Sequence, residues 1–307
     1  MTVFNKLPAK PVLLDTAARA RLTLTCRDTD AIPKHEAAGQ IVHSKAGPAA
    51  QVMHNGLLVE YGGYYGDWMA EIISGLRGHH EPQEEWVFWH IVQRLPEQPT
   101  TIELGAFWAY YSLWVKRERP EARCHLFEPD TGHLELARRN FALNGYDAYF
   151  ERAAAGLDGA TSFYSETEAD NVVMRSKSVD TICAEQGINS LDLLHLDVQG
   201  SELAALHGAT ETVRAGKLRF LFVSTHHHLI SGDPLTHQRC LHWVRQSGAH
   251  IICEHSIYES FSGDGLIAAS YDPQDRDLVV DVSIARASQN LFRELEYDLA
   301  ELQNRTA

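Results

Sequence analysis

The chain has 307 residues, 44% of them hydrophobic, with 27 basic against 41 acidic side chains. A net charge of −14 with no basic run argues against a nucleic-acid partner, whose phosphates demand clustered Lys and Arg. No stretch of about eighteen apolar residues and no apolar core behind the N-terminal lysines speak against a membrane span and a signal peptide. Five widely spaced cysteines, Cys26, Cys124, Cys183, Cys240 and Cys253, with no C-x-x-C, fit reduced thiols in a cytoplasmic protein.

Residues 1–50 carry Pro8, Pro11, Pro33 and Pro48 without a clear period and read as an irregular N-terminal arm, with a short helix at Ala17 to Leu22. Residues 51–98 change texture. Gln51 to Gly56 and Tyr61 to Trp68 are read together as rich in glycine and aromatics, the composition of a binding-loop lid; the alternative is a pair of turns with their rings in the core. A heavily apolar helix then starts at Pro82 and runs to Leu95. Glu84 and Glu85 either stabilise its positive end or turn one carboxylate toward a cofactor's amino group.

Residues 99–285 alternate regularly between strand and helix. Strands are expected at Thr101 to Leu104, Arg123 to Phe127, Ala148 to Ala153, Asp192 to Leu196 and Arg219 to Ser224. Helices are expected from Trp108 to Lys116, from an Asp130 cap through Leu134, Ala137 and Phe141, and along Leu203, Leu206, Ala209 and Val213. His250 to Ser256 and Gly265 to Ser270 read as a closing hairpin across a Gly263-Asp264-Gly265 loop. Continuous apolar strands alternating with helices mean an α/β fold, a mostly parallel sheet covered on both faces. Residues 286–307 place Leu291, Leu295, Leu299 and Leu302 on one helical stripe. That C-terminal helix either packs on the domain or meets a partner in a homo-oligomer or larger assembly.

The first strand–glycine–helix unit, Thr100 to Ser112, has the form that opens a nucleotide-binding sheet. Glu128 ends the next strand, about twenty residues beyond the Gly105 turn, where such sheets hold a ribose diol. The places of the second and third glycines of a dinucleotide fingerprint hold Phe107 and Tyr110. Bulky rings where a pyrophosphate would lie argue against a nicotinamide oxidoreductase. S-adenosylmethionine has the ribose and adenine but no phosphate, and suits the crowded turn.

With these pieces placed, the chain resembles an FkbM-type S-adenosylmethionine-dependent methyltransferase. The residues that carry the likeness are Ile102-Glu103-Leu104-Gly105-Ala106 with Tyr110-Tyr111-Ser112, Phe127-Glu128-Pro129, Asn140 with Leu143-Asn144-Gly145, and Leu196-Asp197-Val198-Gln199-Gly200-Ser201-Glu202 followed by Leu206-His207-Gly208-Ala209. They span roughly residues 80 to 270, and the Asp-Val-Gln-Gly-x-Glu block is the most specific. The turn departs from the usual Ala-Asn-x-Gly, with Phe107, Trp108 and Ala109 in those places. The resemblance implies a class I, Rossmann-like seven-stranded sheet and O-methylation of a hydroxyl on a sugar, glycan or related natural product. It also implies cofactor contacts from Glu103, Gly105, Ala106, Phe107, Ser112, Glu128, Pro129, Asp197 and Gln199.

Tyr64, Tyr65 and Trp108 are candidates to roof the cofactor, because an aromatic face suits a sulfonium. Glu84 is the candidate for its amine. A sugar hydroxyl is a poor nucleophile, so a base or a metal is expected to help. Asp197 leaves the fourth strand, and His226 to His228 leave the fifth. His226 or His228 is the expected base, since strand alternation would put both on one face. The competing roles are a divalent-metal site made by Asp197, His226 and His255, and an ordinary histidine-rich surface loop. Asp197 alternatively orients the cofactor's amine. A catalytically degenerate binding module is the non-enzymatic alternative.

Overall fold

The structure is a computed structural model that describes residues 15–43 and 48–285. Helix α1 (Thr16–Thr23) begins where the Asp15 carboxylate accepts the Ala18 amide at 2.7 Å, an N-cap. Strands β1 (Ile41–Val42), β2 (Ala50–Val52) and β3 (Leu58–Glu60) form a small antiparallel sheet. Helix α2 (Asp67–Gly75) and helix α3 (Pro82–Arg94) follow, the latter with its proline in the first turn.

The main sheet starts with β4 (Thr100–Leu104), α4 (Tyr110–Glu118), β5 (Arg123–Phe127), α5 (Thr131–Leu143) and β6 (Tyr149–Glu151). A second small sheet, β7 (Ala154–Ala155), β8 (Gly159–Ser165) and β9 (Asp170–Lys177), interrupts it and is followed by α6 (Val179–Glu185). The chain returns through β10 (Leu191–Leu196), α7 (Glu202–His207), α8 (Thr210–Arg214), β11 (Leu218–Thr225), α9 (His228–Ser231) and α10 (Thr236–Gln246). It closes with β12 (His250–His255) and β13 (Gly265–Ser270).

The seven strands lie in the order β12-β13-β11-β10-β4-β5-β6, parallel except that β13 runs against both its neighbours. This is the seven-stranded arrangement that the resemblance implies. Alternate residues feed two cores, as strands covered on both faces require. Leu193, Phe220 and Phe222 pack with Phe88 of α3 and Trp114 of α4. Leu194, Leu221 and Val223 pack on the opposite side with Ile182, Leu206 and Val244. Chain order reverses between β4 and β10, which opens a crevice at their C-terminal ends.

Several boundaries differ from expectation, for local reasons. Helix α4 starts at Tyr110, not Trp108, because Ala109 sits in the left-handed region at φ 61°. The expected single helix through Val213 is two, α7 and α8, separated at Gly208 and Ala209. Gly208 lies so close to Gly156 that a Cβ would come 2.5 Å from its carbonyl oxygen. Strand β6 is shorter than residues 148–153, and β11 ends at Thr225, so His226 and His228 do not share a strand face. The β8–β9 hairpin and helices α6 and α10 have no counterpart in the sequence expectations. The C-terminal helix expectation lies outside the described residues. Among the described residues no helix is long and apolar enough to cross a membrane, and the five cysteines are buried and free.

Candidate active site

A cavity of about 640 Å³ lies over the crevice, within the usual range for a small-molecule site. Gly105 makes its floor possible. Its φ is 81°, and a Cβ there would stand 1.8 Å from the Asp197 carbonyl oxygen, so only glycine lets the end of β4 pass the end of β10. The Gly105 and Ala106 amides donate to the Phe127 carbonyl at 2.9 and 3.1 Å, and the Asp197 amide donates to Leu104 at 2.9 Å. Three strand ends are thereby tied into one rim.

Glu128 is set at that rim by its own neighbours. The Phe107 amide donates to Oε2 and the Asp130 amide to Oε1, each at 2.9 Å. The aromatic residues line the cavity without filling it. Phe107 lies against His133, ring centroids 3.6 Å apart at 17°. Trp108 is buried under Tyr64, stacked at 4.5 Å and 9°, and leaves only Tyr64 facing the space. Six non-glycine residues among those described have left-handed φ, and three of them, Tyr65, Phe107 and Gln199, line this cavity. Such conformations cost about 1–3 kcal/mol each and concentrate where function over-determines the backbone. Gln199 is held by donating its side-chain amide to the Tyr65 hydroxyl at 3.1 Å.

One end of the cavity is crowded with carboxylates. His226 Nδ1 lies 2.5 Å from Glu202 Oε1, and its Nε2 lies 3.2 Å from Asp197 Oδ1 and 3.7 Å from Asp264 Oδ1. Burial opposes charge on this ring, yet Asp264, Asp197 and Glu202 outweigh it and hold its pKa well above the ordinary value. Burial likewise pushes Asp197 up, but His226 draws it below the usual carboxylate range. Asp264 ends on the other side: burial, opposed by His226 and aided by Asp197 and Glu81, raises it to about 7. Glu81 accepts from the Tyr111 hydroxyl at 3.0 Å and faces His80 Nε2 at 3.1 Å.

Of the residues expected from sequence, Tyr64, Gly105, Phe107, Glu128, Pro129, Asp197, Gln199 and His226 line the cavity together. Others stand elsewhere. Glu84 is buried behind the rim and accepts from the Ser224 hydroxyl at 2.6 Å, because α3 points it at β11. Glu81, three residues earlier, faces the cavity in its place. Glu103 lies within the sheet beside His195 and accepts the Ser112 amide at 3.2 Å, while Ala106 and Ser112 are buried supports. His228 is half-buried in the first turn of α9 and does not line the cavity, because the chain leaves β11 at Thr225. His255 is fully buried in β12, its pKa lowered by burial to about 4, and does not join Asp197 and His226 in a metal set. One group of three potential ligands among the described residues does converge within 4.8 Å, the buried His54, His79 and Glu85 behind the site.

Asp264 and Glu81 were missed as site residues by sequence reasoning, and Asp130 was expected only as a helix cap. The β11–β13 pairing sets Gly265 opposite Thr225, which brings Asp264 across from His226. The hairpin β8–β9 was also missed, and it closes a side of the cavity with Thr161 and Phe163.

Residues 90–251 match the Methyltransferase FkbM domain, more than half of the chain. The chain belongs to this family. The FkbM domain thus embraces β4 to the start of β12 and includes Gly105, Glu128, Asp197, Glu202 and His226, whereas Glu81 and Asp264 fall outside the matched span. Among curated proteins it is 24% identical over 165 residues to "Methyltransferase sdnD" of Sordaria araneosa, covering 39% of this chain and 64% of that protein. It is 26% identical over 132 residues to "2-O-methyltransferase NoeI" of Sinorhizobium fredii, covering 34% of this chain and 54% of that one. The FkbM chain therefore spans between half and two thirds of the length of these relatives. Among solved structures, M. capricolum TrmK with S-adenosyl-homocysteine overlaps 71% of this chain and 84% of its own at 12% identity and a TM-score of 0.39. The strand order described above stands without that overlap.

Proposed function

We propose that this FkbM-family methyltransferase uses S-adenosylmethionine to methylate a hydroxyl of a sugar, glycan or related polyhydroxylated product. The observation that carries this reading is the pairing of Gly105, pressed on the Asp197 carbonyl, with Glu128 fixed at the next strand end. The residues present fit the cofactor. Glu128 has lone pairs to accept two ribose hydroxyls, and Phe107 and His133 offer flat faces to adenine. When bound, the cofactor supplies an activated methyl on a sulfonium.

The chain's own residues supply position and charge. Tyr64 and Tyr65 offer ring faces near the place of a sulfonium. Alignment of the accepting oxygen opposite the leaving sulfur, in a site from which water is excluded, provides much of the acceleration. The cavity is also lined by Trp68, Phe163, Tyr164, Arg19, Glu166 and Ser262. Aromatic faces for sugar C–H groups beside polar partners for hydroxyls support a carbohydrate-like acceptor, and the name of NoeI is in keeping with an oxygen target. The acids around the cavity outnumber its cations, which favours an acceptor without negative charge.

The test is mass spectrometry of candidate neutral glycans after incubation with deuteromethyl-labelled cofactor. The expected product carries one labelled methyl on a ring oxygen. Label on nitrogen or carbon, or none on any oxygen acceptor, would sink the proposal.

A further inference from the structure

The proposed reaction releases a hydroxyl proton, and the hydrogen bonds around His226 decide what can take it. Nδ1 faces Glu202 Oε1 at 2.5 Å and Nε2 faces Asp197 Oδ1 at 3.2 Å. An ionised carboxylate only accepts, so each ring nitrogen must carry a proton. The ring is then an imidazolium with no lone pair left to accept another. Glu202 explains why the charge is kept. It is wholly buried, its Oε1 also accepts the Gly200 amide at 3.0 Å, and its Oε2 has no hydrogen-bond partner. A carboxylate so placed is tolerable only beside a cation.

Asp264 stands in a different position. Its Oδ1 is 3.7 Å from Nε2, beyond hydrogen-bond reach, and its side chain keeps 24% of its surface open in the cavity. Its seat is dictated by pairing, since Gly265 lies opposite Thr225 in the antiparallel register. A Cβ at 265 would come 2.6 Å from Thr225 Oγ1 and 2.8 Å from His237 Nδ1, so glycine permits the close approach that carries Asp264 over His226. The titratable groups that face Asp264 are His226, Asp197, Glu81, Glu84, Arg19, Tyr64 and Tyr65, and burial with Asp197 and Glu81 outweighs the cations. A carboxylate raised toward neutrality is a competent base, whereas Asp197, held low by His226, is a poor one.

We propose that Asp264 removes the acceptor's hydroxyl proton, and that His226, fixed as an imidazolium by Glu202, is a positioning residue rather than the base. This rests on the reading given under Proposed function. In the step, the acceptor oxygen forms a bond to the methyl carbon as the carbon–sulfur bond breaks. The bonding pair leaves with sulfur as a neutral thioether, and the hydroxyl proton passes to the Asp264 carboxylate. A cation, an alcohol and a carboxylate thus become a thioether, an ether and a carboxylic acid.

Two measurements on the full-length protein decide it. Long-range proton–nitrogen spectra of the histidine side chains, assigned with H226Q, read the ring directly with and without S-adenosylhomocysteine. Both His226 nitrogens are expected to be protonated at about pH 8, above the ordinary histidine range, and E202Q is expected to lose that signature. A neutral ring with a bare Nε2 at that pH overturns the proposal. The second measurement is labelled-methyl transfer to a panel of neutral methyl glycosides. D264N is expected to cut turnover by about 10²–10⁴-fold, to remove the acidic limb of the pH–rate profile, and to bind S-adenosylhomocysteine within a few-fold of wild type. Near-normal turnover in D264N overturns the proposal. So does loss of activity on chelation with recovery on adding a divalent cation, which would make the carboxylates ligands instead. If wild type fails to bind S-adenosylhomocysteine, the function proposed above fails, while the spectra still decide the state of His226.

Discussion

Gly105 is where sequence and chemistry meet most closely. Any side chain there would collide with the Asp197 backbone, and the left-handed φ adds its own cost. Gly105→Ala is therefore expected to cost about 3 kcal/mol of stability or more and to weaken cofactor binding, measured by denaturant unfolding and calorimetry. A variant as stable as wild type would contradict the close packing of β4 on β10. The place of Glu128 on the cavity rim was legible from its position after the second strand, because parallel-sheet geometry fixes what stands at a strand end. Glu81 and Asp264 were not legible in that way. Their positions depend on an aromatic loop and on an antiparallel register, and neither leaves a local period in the sequence. The expectation that His226 and His228 would share a face failed because it needed the strand to continue past Thr225.

At the scale of elements, one carboxylate ties the β8–β9 hairpin to the start of α5, beside the Lys177–Glu151 and Arg152–Glu168 ion pairs. Asp130 caps α5 by accepting the Gly132 and His133 amides at 2.9 and 3.2 Å. It also accepts the Ser165 hydroxyl at 2.6 Å and the Thr167 amide at 3.1 Å from the hairpin. Burial would raise this carboxyl, but the Ser165 and Thr167 donors overcome it and hold it well below its ordinary value. Its stabilisation is present above the unfolded aspartate pKa of about 4 and is lost as pH falls through the lower folded value. Asp130→Ala is expected to cost about 1–3 kcal/mol and to raise amide exchange across residues 159–177 more than elsewhere. Unchanged exchange in the hairpin would show that its anchor lies in other contacts. The parallel strands, by contrast, were readable as apolar runs, since both of their faces are buried.

Over the whole molecule, the start of α3 holds a buried charge cluster at the edge of the cavity. His80 Nδ1 faces Glu85 Oε1 at 2.7 Å, and its Nε2 faces Glu81 at 3.1 Å. Burial lowers the His80 pKa, but Glu81 and Glu85 prevail and raise it to about 10. A raised histidine contributes stability that is complete below the unfolded value of about 6.5 and disappears as pH climbs through the folded value. The melting temperature is expected to fall between about pH 7 and 10, and more shallowly in His80→Gln; parallel curves for the two proteins would refute the assignment. Everything functional nevertheless returns to the crevice between β4 and β10. The most direct measurement is calorimetric titration of the full-length protein with S-adenosylhomocysteine, comparing wild type with Glu128→Ala. One-to-one binding, weakened by about 10–100-fold in the variant, is the expected result, in line with loss of hydrogen bonds to a charged group. No binding by wild type, or equal binding by both, would contradict an adenosyl group seated at Gly105 and Glu128.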